Sequence, residues 1–236
     1  MTQLTSVQAK FVETVLSLQP RVATFDCDGT LWSGDAGEGF FSWELAQGLV
    51  SDEIVRWARA RYADYKAGNV PEDVMCGEMV TMHRGLPETT VQQACDTYFP
   101  QAIAPNIFPE MQELVHRLRQ SGCDVWAVSS SNQWIIRSGM RSFGIPQNRI
   151  LSAETAVENG VVLDRLIRVP SGPGKPEAIR SVLQSPPDCA FGNAIWDREM
   201  LTLSKNPFVI NPNPDLRAIA LTNNWPVYQP ESAFSS

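Results

Sequence analysis

Clusters of basic residues, long apolar runs and paired cysteines are all missing from this sequence. Its 236 residues carry 19 Lys and Arg against 26 Asp and Glu, which gives a formal net charge of −7. Nucleic acids and anionic membrane surfaces both select clustered positive charge, so the sequence predicts neither as a partner. No apolar run reaches the length of a membrane span, and the polar N-terminus does not predict a signal peptide.

Cysteine and histidine are both too few and too scattered to indicate a metal site of the zinc type. An odd, dispersed set of cysteines without CxxC spacing indicates reduced thiols, which is typical of a cytoplasmic protein and not of a disulfide framework. The two histidines, His83 and His116, are expected at the surface. The five cysteines are Cys27, Cys76, Cys95, Cys123 and Cys189.

What the sequence does contain is an α/β alternation with one long interruption. Short β-branched runs alternate with helical patterns at both ends of the chain, whereas residues 33–106 show helical spacing almost throughout. Such alternation predicts a mostly parallel sheet with helices on both faces. We therefore expect a Rossmann-like, doubly wound core from residues 1–32 and 107–236, with a helical cap domain inserted at residues 33–106.

Polar side chains follow several of the predicted strands. Two carboxylates side by side are costly to bury, and a hard cation with oxygen ligands is one way to hold them. Ligands of open α/β sheets bind beyond the carboxyl ends of the strands, so we expect these groups to share one pocket. The groups are Asp26 and Asp28 after Val22–Phe25, Ser129 and Ser130 after residues 123–128, Lys175 at a helix start, and Asn193 and Asp197 after Ala190-Phe191.

This combination of side chains suits phosphoryl transfer. Negative charge accumulates on the phosphoryl oxygens in the transition state, and metal, lysine and hydrogen-bond donors stabilise it. None of the groups is specific by itself, since a serine after a strand is commonly a helix cap and a lysine before a proline is commonly solvated. The prediction depends on their common placement.

The same residues resemble the four motifs of the haloacid dehalogenase superfamily, in the family's order. They are Asp26-x-Asp28-Gly-Thr30, Ser129 after an apolar strand, Lys175 before a helix, and Gly192-Asn193-x-x-x-Asp197. The resemblance spans residues 22–210, and the insertion is similar to the family's helical cap of the first type. The branch that contains phosphoserine phosphatase is the nearest.

The resemblance implies a role for each motif residue. Asp26 would be the nucleophile that forms an aspartyl phosphate, and Asp28 the general acid and then the general base. Ser129 and Lys175 would bind the phosphate oxygens, helped by the backbone amides of Gly29 and Ser130. The presence of Asp28 favours a phosphatase over a dehalogenase, because carbon–halogen cleavage needs no acid for the leaving group.

The resemblance also implies a magnesium ion, with one departure from the family pattern. Its ligands would be Asp26, the backbone carbonyl of Asp28, Asn193 and Asp197, completed by water. The family usually has an aspartate where this chain has Asn193. One negative charge is therefore missing, and weaker metal affinity is expected.

The insertion and the motif edges predict substrate contacts. Asp35 and Glu38 follow the first motif and could meet a substrate amine, while a cap arginine could meet a carboxylate; Arg56, Arg59, Arg61 and Arg84 are available. Trp196 could contribute to an aromatic cage for a cationic or apolar head group. Residues 32–34 and Asn106 are the expected hinges of cap motion.

Together these features predict a cytoplasmic, magnesium-dependent phosphatase that hydrolyses a small phosphate monoester. Two alternatives remain open at this stage. One is a phosphotransferase that uses the same intermediate, and the other is a phosphate-binding protein whose altered fourth motif has little turnover. The sequence does not indicate the oligomeric state.

Overall fold

The computed structural model describes residues 3–234 and shows an α/β fold. Within that range the helices are α1 (Ser6–Leu16), α2 (Ala36–Gln47), α3 (Asp52–Lys66), α4 (Glu72–Thr81), α5 (Glu88–Ala102), α6 (Pro109–Gln120), α7 (Gln133–Arg141), α8 (Gly174–Val182), α9 (Arg198–Leu203) and α10 (Pro214–Thr222). The strands are β1 (Val22–Phe25), β2 (Asp124–Asn132), β3 (Ile150–Glu158), β4 (Val161–Arg168), β5 (Cys189–Gly192), β6 (Asn206–Ile210) and β7 (Val227–Tyr228).

Within residues 3–234 the strands form a seven-stranded sheet in the order β4-β3-β2-β1-β5-β6-β7. The β3–β4 pair is antiparallel and the other pairs are parallel. The chain builds outward from β1 to one side through β2 and then returns to the other side of β1 with β5. This places a topological switch point at the carboxyl end of β1, as expected for a doubly wound sheet. The predicted fold class is confirmed.

The central strands are held by apolar side chains that match across the sheet. Phe25 on β1 stacks on Phe191 of β5 with ring centroids 4.2 Å apart, and Phe191 stacks on Phe208 of β6 at 5.1 Å. Phe25 and Phe191 are fully buried. Parallel strands covered on both faces carry such near-continuous apolar runs. The polar residues that follow these strands are thereby fixed at one edge of a rigid sheet.

Helices α2–α5 lie between β1 and α6, within residues 33–106, the segment predicted to be a cap and called the insertion below. Two connections join this segment to the sheet. These connections run side by side, because Ser33 N–H donates to Asn106 O at 2.9 Å and Phe108 N–H donates to Leu31 O at 3.0 Å. A third attachment lies between α4 and α5, where Gly85 N–H donates to Val162 O at 2.8 Å. The β3–β4 hairpin therefore contacts the insertion in addition to the two connections.

Two parts of the sheet differ from the sequence-based expectation. The residue pattern predicts short strands at Ile150-Leu151, Gly160–Leu163 and Leu166–Val169, with a turn signal at Asn159-Gly160. In the structure β3 and β4 form a continuous hairpin around Asn159 and Gly160, whose φ angles are 52° and 75°. The turn signal was therefore correct and the strand lengths were too short. The two-residue β7 was not predicted, because a pair of residues carries no periodicity.

None of the helices within residues 3–234 combines the length and apolar character that a membrane crossing requires.

The expectation that both histidines lie at the surface is wrong for His83. His116 is exposed, but His83 is completely buried where the insertion meets the core, with its ring 5.1 Å from that of Trp134. Its Nε2 lies 2.6 Å from Glu44 Oε2, and its Nδ1 lies 3.1 Å from Val80 O. A buried imidazole requires such partners, and the carboxylate 39 positions away could not be recognised from the local pattern.

We expect this pair to make the folded protein less stable as the pH rises. Burial lowers the pKa of His83, but the charge and hydrogen bond of Glu44 outweigh it and raise the pKa above its ordinary value. Burial also raises the pKa of Glu44. Stability that comes from protons bound more tightly in the folded state is present below the unfolded pKa of about 6.5 for histidine, and is lost as the pH rises through the folded value.

Urea unfolding between pH 6.5 and pH 8.5 should therefore show a free energy of unfolding that falls as the pH rises. The buried carboxyls of Asp26 and Asp28, whose pKa values are raised to about 7 and about 8, should contribute to the fall over the same range. The Glu44→Gln variant should have a smaller slope than the wild type, because His83 then has no charge partner. The His116→Gln variant is the matched control and should keep the wild-type slope. Equal slopes for the wild type and Glu44→Gln would contradict the assignment.

Candidate active site

Asp26 begins the site at the end of β1. Its backbone N–H donates to Phe191 O at 2.9 Å, which continues the pairing of β1 with β5 beyond the last strand residue. Only 6% of Asp26 is exposed, and its Oδ2 accepts a hydrogen bond of 2.9 Å from the hydroxyl of Thr30. The strand register therefore fixes the backbone of Asp26, and the turn that follows fixes its carboxylate.

The side chain of Lys175 contacts residues from three parts of the sheet. It lies in the first turn of α8 with 1% of its side chain exposed. Its Nζ donates to Asp26 Oδ1 at 2.7 Å and to Val128 O at 2.9 Å, and lies 2.6 Å from Asp197 Oδ1. Residues from β1, β2 and the segment after β5 thus converge, as the sequence-based hypothesis of a shared pocket requires.

Asp197 is held by the backbone of its own turn. Its Oδ2 accepts the N–H groups of Asn193 at 2.8 Å and Ala194 at 2.9 Å. A Cβ atom on Gly192 would lie 2.5 Å from the Cβ of Asp197, so the turn closes only over glycine. One oxygen of Asp197 thus holds the turn and the other holds Lys175, and its predicted role as a metal ligand stays a prediction.

The buried trio of Asp26, Asp197 and Lys175 carries one more negative than positive charge. Burial raises the pKa of Asp26 to about 7, the charge of Asp197 acts in the same direction, and Lys175 opposes both. For Lys175, burial lowers the pKa, but the two carboxylates outweigh burial and raise it. The lysine is therefore a permanent cation, and a further cation beside Asp26 would favour its ionised form.

Asp28 lies nearby in a different environment. Its Oδ1 accepts the indole N–H of Trp32 at 2.9 Å and the backbone N–H of Ala36 at 2.5 Å, while Oδ2 accepts the Ser131 hydroxyl at 2.7 Å. Burial raises the pKa of Asp28 to about 8, and the negative charge of Asp35 adds to this effect. The two aspartates of the first motif thus differ, because only Asp26 contacts a cation.

Thr30, Trp32 and Ser131 bond to the two aspartates but were not predicted as site residues. Thr30 is part of the quoted first motif, so its bond to Asp26 could have been inferred from that motif. Trp32 carried no signal for a bond to Asp28 four residues earlier. Ser131 is the last of three consecutive serines, and nothing in the sequence distinguishes it from Ser129 and Ser130.

The structure places Ser129 and Ser130 in different surroundings. Ser129 is 1% exposed, and its hydroxyl oxygen accepts the backbone N–H of Ser131 at 3.1 Å. Ser130 is half-buried and lies on the side of the insertion. Both lie within β2, directly after Val128, whose carbonyl accepts a hydrogen bond from Lys175. The strand therefore continues past the predicted end at residue 128. Their predicted phosphate-binding roles stay predictions.

The side chain of Asn193 packs against Gly29, which has a φ angle of 75°. A Cβ atom at Gly29 would lie 1.9 Å from Asn193 Nδ2, so the first and fourth motifs approach each other through a glycine. The carboxylate of Asp26, the carbonyl of Asp28 and the amide of Asn193 together offer only oxygen ligands, the type that Mg²⁺ prefers. No group of three His, Cys, Asp or Glu side chains in residues 3–234 forms a metal site by itself. The residues present therefore fit a hard cation with few charged ligands.

A small crevice of about 70 Å³ lies between the insertion and the core, and we call it the interface crevice. Asp35 and Glu38 lie in it, and Ser131 connects it to Asp28. Its lining consists of Asp35, Gly37, Glu38, Tyr62, Tyr65, Lys66, Glu72, Met75, Cys76, Met79, Ser130, Ser131 and Asn132.

Trp196 lies outside the interface crevice, in the segment after β5. It is 44% exposed, and its backbone carbonyl accepts the N–H of Gly172 at 3.0 Å in the loop before α8. It is not part of the lining of the interface crevice. The hypothesis of an aromatic cage at Trp196 therefore receives no support from this lining.

Comparisons with known proteins agree with this geometry. The chain is 27% identical over 221 residues to a probable phosphatase from Mycobacterium tuberculosis, covering 88% of this chain and 76% of the relative. It is 24% identical over 216 residues to a histidinol-phosphatase from Neisseria meningitidis, covering 87% of this chain and 97% of the relative. A solved phosphoserine phosphatase, captured as an analogue of its phospho-aspartyl intermediate, matches with a TM-score of 0.57 and 16% identity, over 84% of this chain and 90% of that structure.

A family model described as haloacid dehalogenase-like hydrolase matches residues 23–202, which include all four predicted motifs. The resemblance inferred from those motifs is confirmed, as is the prediction that the chain is an enzyme. Because the match covers most of the chain and the site residues meet as the motifs require, the chain belongs to the haloacid dehalogenase-like hydrolase family.

Proposed function

We propose that the protein is a magnesium-dependent phosphatase that hydrolyses a small phosphate monoester through an aspartyl phosphate on Asp26. The observation that carries the proposal is the contact of Lys175 with both Asp26 and Asp197 beside a separately bonded Asp28. Two carboxylates in different environments can serve as nucleophile and as acid, because their proton affinities differ. The phosphatase names of the relatives support the same activity.

The proposed reaction has two steps. A carboxylate oxygen of Asp26 attacks phosphorus, the ester P–O bond breaks, and the proton of Asp28 passes to the departing alcohol oxygen. Water then attacks the phosphorus of the aspartyl phosphate and gives a proton to Asp28. Inorganic phosphate leaves, and Asp26 and protonated Asp28 are restored.

The surrounding residues support each step. The pKa of Asp28, raised to about 8, keeps its carboxyl protonated at neutral pH, as a general acid requires. Lys175 holds Asp26 in one orientation and offers positive charge to the phosphoryl oxygens, with Ser129 and the amides of Gly29 and Ser130 as further donors. Asp26, the carbonyl of Asp28 and Asn193 would hold Mg²⁺, which supplies charge neutralisation at the transferring phosphoryl group.

The insertion has a place in the same proposal. Residues 33–106 would act as a cap that shields the reaction from bulk water between the two steps. The narrow interface crevice favours a small leaving alcohol, since ligand pockets for larger molecules usually measure roughly 300–1,000 Å³. The connections at residues 32–34 and Asn106 would be the hinges.

Phosphate release from p-nitrophenyl phosphate and other small esters tests the proposal. The protein is first treated with EDTA and dialysed, and activity is then measured against increasing MgCl₂. We expect activity only with added metal. Absence of phosphate release from every ester at millimolar Mg²⁺ would contradict the proposed function and favour a binding protein.

The Asn193→Asp variant should bind Mg²⁺ more tightly than the wild type. It adds a carboxylate to a set with few charged ligands, and charge–charge attraction within about 4 Å is worth several kcal/mol at an intermediate dielectric before screening. We expect the Mg²⁺ concentration for half-maximal activity to fall by about tenfold or more. Asn206→Asp is the control, because Asn206 begins β6 at the end of the sheet away from the site. It should leave the Mg²⁺ concentration for half-maximal activity unchanged. An unaltered Mg²⁺ requirement in Asn193→Asp would exclude residue 193 as a ligand.

A further inference from the structure

The interface crevice is strongly acidic for its size. Asp35 and Glu38 reach it from the start of α2, and Glu72 reaches it from the start of α4. The only basic side chain in its described lining is Lys66, which lies 3.3 Å from Glu38. Three carboxylates against one ammonium group leave an excess of two negative charges.

The carboxylates from the two helices influence one another across the crevice. Burial raises the pKa of Glu72, and the negative charge of Asp35 acts in the same direction. Glu72 accepts a hydrogen bond from the hydroxyl of Tyr65. Repulsion of this kind is relieved when a cation enters between the charges.

Two aromatic rings complete the wall of the crevice on the α3 side. Tyr62 and Tyr65 lie with ring centroids 5.7 Å apart, and both line the crevice beside Glu72. Aromatic faces attract cations through their quadrupole. The ammonium group of Lys66 already lies over the Tyr62 ring, 5.1 Å from its centroid, so this part of the crevice holds one cation within the protein. The surroundings of carboxylates and aromatic rings thus suit organic cations.

The crevice offers little to a carboxylate on the substrate. No arginine belongs to its lining within the described part of the chain. Arg61 instead forms a two-pronged contact with Glu78, at 2.6 and 2.9 Å, and Arg84 lies 3.6 Å from Asp164. Since carboxylate recognition usually relies on such a forked arginine, an amino acid phosphate would be poorly matched here.

We infer that the preferred substrate is the phosphate ester of an amino alcohol, in which the alcohol carries an ammonium group with N–H donors and lacks a carboxylate. The inference rests on the proposed function and specifies its substrate class. Ser131 gives the physical link, because it lines the crevice and donates to Asp28, the proposed acid for the departing alcohol. An alcohol whose oxygen lies at Asp28 would therefore extend its ammonium group toward Asp35, Glu38 and Glu72 in the crevice. Carboxylates bind best to groups that donate hydrogen bonds, so a primary ammonium group should be preferred over a quaternary one.

A panel of four esters tests this substrate class with the full-length protein and Mg²⁺. Phosphoethanolamine carries the primary ammonium group, n-propyl phosphate has nearly the same shape without charge, phosphoserine adds a carboxylate, and phosphocholine has no N–H donor. We expect kcat/KM for phosphoethanolamine to exceed that for each of the other three by about tenfold or more.

The variant Glu72→Gln identifies the crevice as the origin of the preference. It should lower kcat/KM for phosphoethanolamine by about five- to tenfold and leave n-propyl phosphate within about twofold, because only the charged ester loses a partner. Glu78→Gln is the matched control on the same helix, since Glu78 binds Arg61 and is not part of the lining. Glu78→Gln should leave kcat/KM for phosphoethanolamine and for n-propyl phosphate unchanged. A fold defect would lower both esters together and would not alter their ratio.

The possible failures are distinguishable. Hydrolysis of phosphoethanolamine and n-propyl phosphate with equal kcat/KM, or a preference for phosphoserine, would overturn the substrate class and leave the phosphatase proposal intact. A preference for phosphocholine would indicate an aromatic cage and would also overturn it. No release from any ester would overturn the proposed function, and the substrate class with it.

Discussion

Phosphate release should be lost in the Asp26→Asn variant, with kcat at least about 10³-fold below that of the wild type. An amide is a far weaker nucleophile than a carboxylate, and no other carboxylate contacts Lys175 from the end of β1. The fold should be unaffected. Asparagine has the same shape: its side-chain oxygen can still accept from Lys175, and its NH2 group can donate to the hydroxyl oxygen of Thr30. Asp197 still balances the charge of Lys175.

Two measurements separate chemistry from structure in this variant. Acid quenching with a ³²P-labelled ester should trap phosphate on the wild-type protein and none on Asp26→Asn. Thermal unfolding should give nearly the same Tm for both. Asp124→Asn is the matched control, because Asp124 begins the neighbouring strand and contacts only the partly exposed Arg149 and the Trp126 indole. Turnover within tenfold of the wild type in Asp26→Asn would remove Asp26 as the nucleophile.

The parts of the molecule that the sequence predicts well are those set by local periodicity and by strand ends. Apolar β-branched runs identified β1 and the start of β2, and the residues after them were expected at one edge of the sheet. The contacts of Lys175 with Asp26 and Asp197 follow from that topology, although they join positions up to 149 residues apart. A parallel sheet makes long-range placement predictable, since all carboxyl ends meet at the same edge.

The parts that were not predicted depend on how the insertion packs on the core. His83 was expected at the surface because nothing near it indicated that Glu44 would lie beside it in a buried site. The interface crevice was foreseen only through Asp35 and Glu38. Tyr62, Tyr65 and Glu72 were not identified, because helical spacing shows which face is apolar but not which part of that face meets another element. The contact of Asp35 and Glu38 with a substrate amine was therefore predictable, whereas the contribution of Glu72 and the lack of a lining arginine came from the structure.

Removal of the central cation should damage both stability and activity. In Lys175→Met, the buried Asp26 and Asp197 face each other without a positive charge between them. Breaking a buried ion pair by removing one partner typically costs about 3–5 kcal/mol. For a chain of this size, that corresponds to a fall in Tm of roughly 6–20 °C. Phosphate release should be undetectable, because the nucleophile loses its support and the phosphoryl oxygens lose a donor.

The pH dependence of the Lys175→Met variant tests the electrostatic cause directly. Burial already raises the pKa of Asp26, and the charge of Lys175 opposes this rise. Without lysine the pKa of Asp26 should rise further, so the variant should regain stability as the pH falls through the folded value. Unfolding is measured in EDTA, so that no divalent cation replaces the lysine.

In Lys175→Met combined with Asp197→Asn, most of the lost stability should return at neutral pH, since the amide oxygen can still accept from the N–H groups of Asn193 and Ala194. Activity should stay absent in the double variant, because Asp26 still lacks its cation. If the double variant were no more stable than the single one, the loss would come from packing around the lysine stem, and the charge balance of Asp26, Lys175 and Asp197 would not be what holds the strand ends together.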